Sequence, residues 1–166
     1  MANRMVLDHS SLTPDLMQAL LGLSAKLTGG AVTARLRHLL DLRVSQMNGC
    51  HFCIAMHGRE ALEEGDSSAR VDAVAAWRDS PLFTEPERAA LAWAETLTAA
   101  DPDEAARDAV LADLRQHFDD AAISRLSYAV AAINAWNRLG LAAYRHPPVA
   151  ATAATAAATK ADAIHA

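Results

Sequence analysis

Only two cysteines occur in 166 residues, too few for the disulfide framework of a small secreted scaffold. Aromatic residues number eight (three Trp, two Tyr, three Phe), so a core has to be packed from small and aliphatic side chains. Valine and isoleucine together number 12 against 59 alanines and leucines. β-Branched side chains suit strands, whereas minimal or straight ones lose little rotamer freedom in a helix, so this ratio argues against a sheet. Glycine and proline take only 13 positions, which excludes disorder for most of the chain. Basic charge is also short: 15 Lys and Arg face 20 Asp and Glu, a net −5. That balance argues against nucleic acid and against an anionic membrane surface as partners. No uninterrupted apolar run reaches the ~18–20 residues of a membrane span. The longest candidate, residues 128–144, is broken by Asn134, Asn137 and Arg138. Residues 1–11 lack a cationic start followed by an apolar stretch, so no signal peptide is expected and a cytoplasmic protein is.

What is present are helix signals. Thr13-Pro14-Asp15 supplies an N-cap, a proline at the first helical position and an acid in the first turn. Leu12, Leu16, Leu20, Leu23 and Leu27 then share one face, and Gly29-Gly30 ends the segment. A second helix is expected over 33–47, with Leu36, Leu39, Leu40, Val44 and Met47 as its buried stripe. Asn48-Gly49 breaks it, and a third runs from about Cys50 to Gly65. Ser67 or Ser68 caps a short helix through Trp77. Thr84-Glu85-Pro86-Glu87 reads as a capping box for a fifth through Leu97, and Asp101-Pro102-Asp103-Glu104 opens a sixth through about Phe118. Asp119 or Asp120 caps a last long helix to about Arg145, with Ile123, Leu126, Val130, Ile133, Asn137 and Tyr144 along its seam. No alternating strand pattern occurs. The expectation is a single all-α domain, residues 1–146, of about six to seven helices. An Ala/Thr tail, 147–166, has no amphipathic face and is expected to be disordered.

The chemistry concentrates in Cys50-His51-Phe52-Cys53-Ile54-Ala55-Met56-His57. Both cysteines stand three residues apart at a helix start, and a histidine follows four residues after the second. Spacings of i, i+3 and i+7 put all three on one helix face. An i, i+3 pair can reach the ~4.4–6.8 Å Cα separation of a disulfide. First-turn amides and the helix dipole favour a thiolate, and His57 stands one turn beyond Cys53 to take its proton. Cys53 is then the nucleophile and Cys50 the resolving thiol. Three other readings compete: two unreactive buried cysteines, a thioredoxin-type motif without its βαβ context, and a zinc site completed by His38 or Asp41. Along a continuous helix Cys50 and His57 are about 10.5 Å apart, a poor fit to one ion. No metal and no organic cofactor is therefore expected.

The stretch from Leu42 through His57 resembles the core motif of the carboxymuconolactone decarboxylase family, and within it the alkylhydroperoxidase AhpD-like branch. Ala89-Ala90-Leu91-Ala92-Trp93-Ala94-Glu95 and Ile133-Asn134-Ala135-Trp136-Asn137-Arg138 are similar to downstream segments of that branch, and the resemblance covers roughly residues 10–146. It implies an all-helical bundle assembled as homotrimers or homohexamers. It further implies that Cys53 attacks a hydroperoxide and Cys50 resolves it to a disulfide, with His57 in the proton relay. An external dithiol, in the best-known members a lipoyl-bearing protein, then reduces the disulfide. One position departs from the pattern: the family's relay glutamate stands twelve residues before the first cysteine, where this chain has His38. A histidine can pass a proton near neutral pH, so His38 is the candidate substitute, with Asp41 the nearest carboxylate on that helix. His38, Asp41 and Ser45 form a polar stripe opposite much of the leucine face. A plain solvated histidine is the competing reading of His38.

Asn137, with Asn134 and Arg138, reads as a satisfied core or subunit-register position rather than as site lining. Glu95 reads as a surface or structural glutamate before a relay carboxylate. His51 reads as an exposed spacer. The expected function is thiol-dependent hydroperoxide reduction. The alternatives are a decarboxylase or lactone-acid enzyme of the same family, and a redox-sensing module that oxidises without turnover.

Overall fold

The computed structural model describes residues 4–99 and 103–145. The proposed tail, 147–166, and the Asp101-Pro102 pair lie outside them. In chain order the elements are strand β1 (Arg4–Met5), α1 (His9–Leu12), α2 (Pro14–Ser24), α3 (Ala34–Asn48), α4 (His51–Glu63) and α5 (Ser68–Ala73). A 3-10 segment (Val74–Asp79), α6 (Glu85–Thr98), α7 (Glu104–Leu114), α8 (Asp120–Ala143) and β2 (Tyr144–Arg145) follow.

The all-α expectation holds, with one addition. β1 and β2 pair antiparallel, Arg4 with Arg145 and Met5 with Tyr144. Two residues per strand are too short to show any alternation in sequence. The pairing ends α8 two residues before the expected limit and ties the N-terminal segment to it; Val6 N also donates to Ala143 O at 2.7 Å. Helix α1 escaped sequence reading too. Asp8 caps it, accepting from the backbone amides of Ser10 and Ser11.

α3 is the central element, packed against α4, α6 and α8. Thr33 caps it by accepting from Leu36 N at 3.2 Å. Gly49, in the left-handed region at φ 67°, ends it and lets the chain turn directly into α4. Leu39, Leu40, Leu42 and Val44 are fully buried with Leu91 of α6, Leu114 of α7, and Leu126 and Ile133 of α8. Because α3 is covered on several sides, its polar stripe is not solvated: Asp41 and Ser45 are buried. Met47, expected in the core, is instead exposed. The contact with α8 at that end of α3 is made by Asn48, whose amide donates to Asn134 Oδ1 at 2.8 Å and Asn137 Oδ1 at 2.9 Å.

The leucine face of α2 has a different fate from that of α3. No residue of α2 is buried, and Leu12 and Leu16 are about two-thirds exposed (64% and 65%). Leu27, just beyond α2, is buried with Ala129 and Ala132 of α8. Polar contacts hold α2 in place: Trp136 Nε1 donates to Ser24 Oγ at 2.9 Å and Arg37 to Ser24 O at 3.3 Å.

A charged cluster joins the turn after α4 to the start of α6. Arg70 donates to Asp66 at 2.7 Å and Glu87 at 2.6 Å, and Arg35 donates to Asp66 at 3.1 Å. Burial pushes the Asp66 carboxyl up, but the hydrogen bonds from Arg70 and Arg35 outweigh it and leave it below the usual carboxylate range. Glu87 follows the same balance, with Arg70 and Thr84 as its donors. A carboxylate depressed in the folded state stabilises above its unfolded pKa, and that stability is lost as pH falls through the folded value. Asp66→Asn is expected to lower stability at pH 7 by about 1–3 kcal/mol. It should also reduce the further loss on acidification below about pH 4, read as urea midpoints at both pH values.

Candidate functional site

Turning at Gly49 makes Cys50 the N-cap of α4, and its sulfur lies 3.4 Å from the amide nitrogen of Cys53. The two sulfurs are joined as a disulfide with their Cα atoms 5.3 Å apart. Cys50 and Cys53 are both buried. Above them passes Gly140 of α8, where a Cβ would lie 3.0 Å from Cys50 Sγ and 3.2 Å from Cys53 Sγ. Any larger residue would occupy space that the sulfurs fill.

His57 lies one helical turn beyond Cys53 and is buried, 5% exposed. Its Nδ1 is 2.7 Å from Glu60 Oε2 and 3.9 Å from Asp41 Oδ2. His38 reaches the same carboxylate from α3, its Nδ1 3.3 Å from Glu60 Oε2, and its ring centroid lies 6.3 Å from that of His57. The solvated reading of His38 is thereby corrected: its side chain is only 13% exposed, because α4 lies across that face of α3. Burial lowers the His38 pKa against the pull of Asp41 and Glu60. Burial likewise pushes the Asp41 carboxyl up, opposed by His57 and by Arg37, whose Nε donates to it at 3.2 Å.

Glu60 was missed in the sequence. Its signal was present, since an i, i+3 spacing from His57 puts it on the same helix face. Two cavities adjoin the cluster. The larger, about 470 Å³, is lined by His38, Asp41, His57 and Glu60. The smaller, about 160 Å³, is lined by Cys53, Gly140 and Tyr144. Phe52, Met56, Met17 and Trp136 border both. Phe52 stacks on Tyr144 at 4.2 Å between ring centroids.

The remaining candidates have partners away from the sulfurs. Asn137 is fully buried and donates to Ser45 Oγ at 2.9 Å, while Asn134 donates to Thr98 Oγ1 at 3.1 Å. Glu95 accepts from Arg43 at 2.6 Å and Trp77 at 2.9 Å and pairs with Arg78 at 2.5 Å. Burial raises its pKa, but those donors hold it below the usual value. His51 is exposed. Gly140→Ala is expected to destabilise the oxidised chain. Overpacking costs about 1–3 kcal/mol, more than the ~1 kcal/mol gained from alanine's helix preference, and a lowered urea midpoint would register the difference.

The sequence profile of the carboxymuconolactone decarboxylase family matches residues 14–96. The uncharacterised protein YdfG of Bacillus subtilis is 30% identical over 134 residues, covering 81% of this chain and 90% of that protein. A crystal structure from Agrobacterium tumefaciens, of unknown function and suggested to be the antioxidant defence protein AhpD, is 33% identical. It superposes with a TM-score of 0.79, covering 89% of this chain and 100% of that one. An uncharacterised peroxidase-related protein from Ralstonia eutropha, described as an alkylhydroperoxidase AhpD core, shares the fold with a TM-score of 0.71 at 22% identity. That match covers 84% of this chain and 74% of its own. The profile match, across half of its length, places this chain in the carboxymuconolactone decarboxylase family.

Proposed function

We propose that the chain reduces hydroperoxides through Cys53 and Cys50. The observation that supports this reading is the joined sulfur pair at the start of α4, with the His57–Glu60 pair one turn away on the same helix. In the reduced chain the Cys53 thiolate attacks the terminal oxygen of ROOH. The O–O bond breaks, and RO⁻ leaves as ROH with a proton passed through His57. Cys53 becomes a sulfenic acid, and Cys50 attacks its sulfur, giving up its own thiol proton to the departing hydroxide so that water leaves as the disulfide forms. An external dithiol, a lipoyl-bearing carrier by family resemblance, takes up the oxidation and restores both thiols. His38 shares the Glu60 carboxylate with His57 and completes the proton path from α3. No step calls for a metal or an organic cofactor.

Thiol titration before and after one equivalent of an organic hydroperoxide tests the assignment. Wild type should lose two thiols and Cys53→Ser none rapidly. A fast reaction surviving in Cys53→Ser would move the nucleophile to Cys50. His57→Gln should slow steady-state consumption with a dithiol by about 10²–10⁴-fold while keeping both thiols. Wild type that oxidises once and then stops, with dithiol in excess, would overturn the enzyme reading in favour of a sensor.

The same reading makes the chain a homotrimer or homohexamer. Its support is the uncovered apolar surface of Leu12, Leu16, Leu21 and Leu23, which a second copy would bury. Sedimentation should give a multiple of the 17.7 kDa chain, and Leu16→Glu should shift it toward the monomer. A monomeric wild type would remove this part of the proposal.

A further inference from the structure

We infer that His38 and Asp41 of α3, with His57 and Glu60 of α4, form a binding site for one divalent transition-metal ion of the zinc type. The pattern that suggests it is a repeated one. α3 presents His-x-x-Asp and α4, lying against it, presents His-x-x-Glu. An i, i+3 pair of His and acid from each of two packed helices converges its donors between them, the way helical bundles build carboxylate–histidine metal sites.

Distances agree with that pattern. One ligand atom each from His38, Asp41 and His57 lies within 4.8 Å of the others. Individual separations are 2.7 Å (His57–Glu60), 3.3 Å (His38–Glu60) and 3.9 Å (His57–Asp41). Ligands at ~2.0–2.1 Å from one ion in a tetrahedron stand about 3.3–3.4 Å apart, close to the His38–Glu60 separation of 3.3 Å and somewhat under the His57–Asp41 separation of 3.9 Å. Glu60 borders the His38–Asp41–His57 set and is hydrogen-bonded to His57 at 2.7 Å. Among the described residues, His38 Nδ1, the nitrogen that faces Glu60 in these distances, is buried without a hydrogen-bond partner. His38 Nδ1 is close to a carboxylate without being aligned to bond it, an arrangement that costs energy unless something else satisfies the nitrogen.

Donor chemistry narrows the ion. Two imidazoles with carboxylates suit Zn²⁺ and its first-row neighbours. Ca²⁺ and Mg²⁺ prefer oxygen alone, and Cu⁺ prefers sulfur. Arg37, bonded to Asp41, would orient that carboxylate as an outer partner, since a carboxylate has lone pairs for both an ion and a guanidinium. The cluster also lines the larger cavity, which leaves room for a water or a small anion on the ion. No cysteine takes part, which removes the geometric objection to a site spanning Cys50 and His57. An ion and the relay proton compete for the same imidazoles, so metal-bound and peroxide-reducing chains are two states of one cluster.

Equilibrium dialysis of the full-length, tag-free chain against Zn²⁺ tests this. One ion per chain is expected. The Co²⁺ form should show visible absorption of tetrahedral nitrogen–oxygen ligation without a sulfur charge-transfer band. His38→Ala and Glu60→Gln should each weaken binding by more than about ten-fold while the far-UV spectrum stays helical. The Cys50→Ser/Cys53→Ser double variant, which cannot reduce peroxide, should bind Zn²⁺ as wild type does, so this result is independent of the peroxide reading. No binding by wild type, unchanged affinity in both His38→Ala and Glu60→Gln, or loss of the ion with the cysteines would overturn the inference.

Discussion

The cysteine pair sits where it does because two glycines leave the backbone room in different ways. Gly49 takes the left-handed conformation that ends α3 at once, so Cys50 caps α4 with no intervening loop. Gly140 removes the side chain from α8 at the point where that helix crosses both sulfurs. The first sets the sulfurs at a helix N-terminus, where amides are free. The second lets α8 close over them, so the pair is buried yet borders a cavity. Cavity, helix start and sulfur pair all follow from these two positions.

Burying α3 on several sides has an electrostatic consequence. Its buried polar residues, Asp41 and Ser45, have to find partners inside the protein or remain unsatisfied. At the end near Gly49 the demand is met: Ser45, Asn48, Asn134 and Asn137 form a connected set of hydrogen bonds between α3 and α8. In the middle it is met only in part. Asp41 has Arg37, but His38 leaves a ring nitrogen without a bond, and a single Glu60 carboxylate is shared by two imidazoles. A site able to move protons or hold an ion needs such incomplete satisfaction, and it lies one turn of α4 from the sulfurs.

The helical domain is divided between a core that hides its leucines and an N-terminal segment that does not. α3, α6 and α8 enclose each other's apolar stripes, while α1 and α2 lie on the outside and present leucine to solvent. Both α2 and α3 carry a leucine stripe, although α2 has one charged residue and α3 carries three arginines, His38 and Asp41. What separates them is that α3 has helices on several sides, whereas α2 is anchored through Ser24 and the neighbouring Leu27 to Ala129, Ala132 and Trp136 of α8.

Helix content, most helix starts and the cysteine motif were legible in the sequence, because caps, breaks and i, i+3 spacings are local and one chain segment suffices to state them. Thr33, Ser67, Asp103 and Asp119 cap helices as their residue types require. The seam of α8, Ile123 through Asn137, is buried as its spacing indicates. Tertiary structure alone decided the fate of Asp41, His38 and Glu60, since their meeting depends on α4 folding back over α3, a contact no single-helix pattern encodes. It also decided which leucine stripe would be covered and that Gly140 would face the sulfurs. Local sequence dictates conformation through backbone and side-chain preferences. Which faces then meet depends on how the helices share the buried surface, and that is a property of the whole chain.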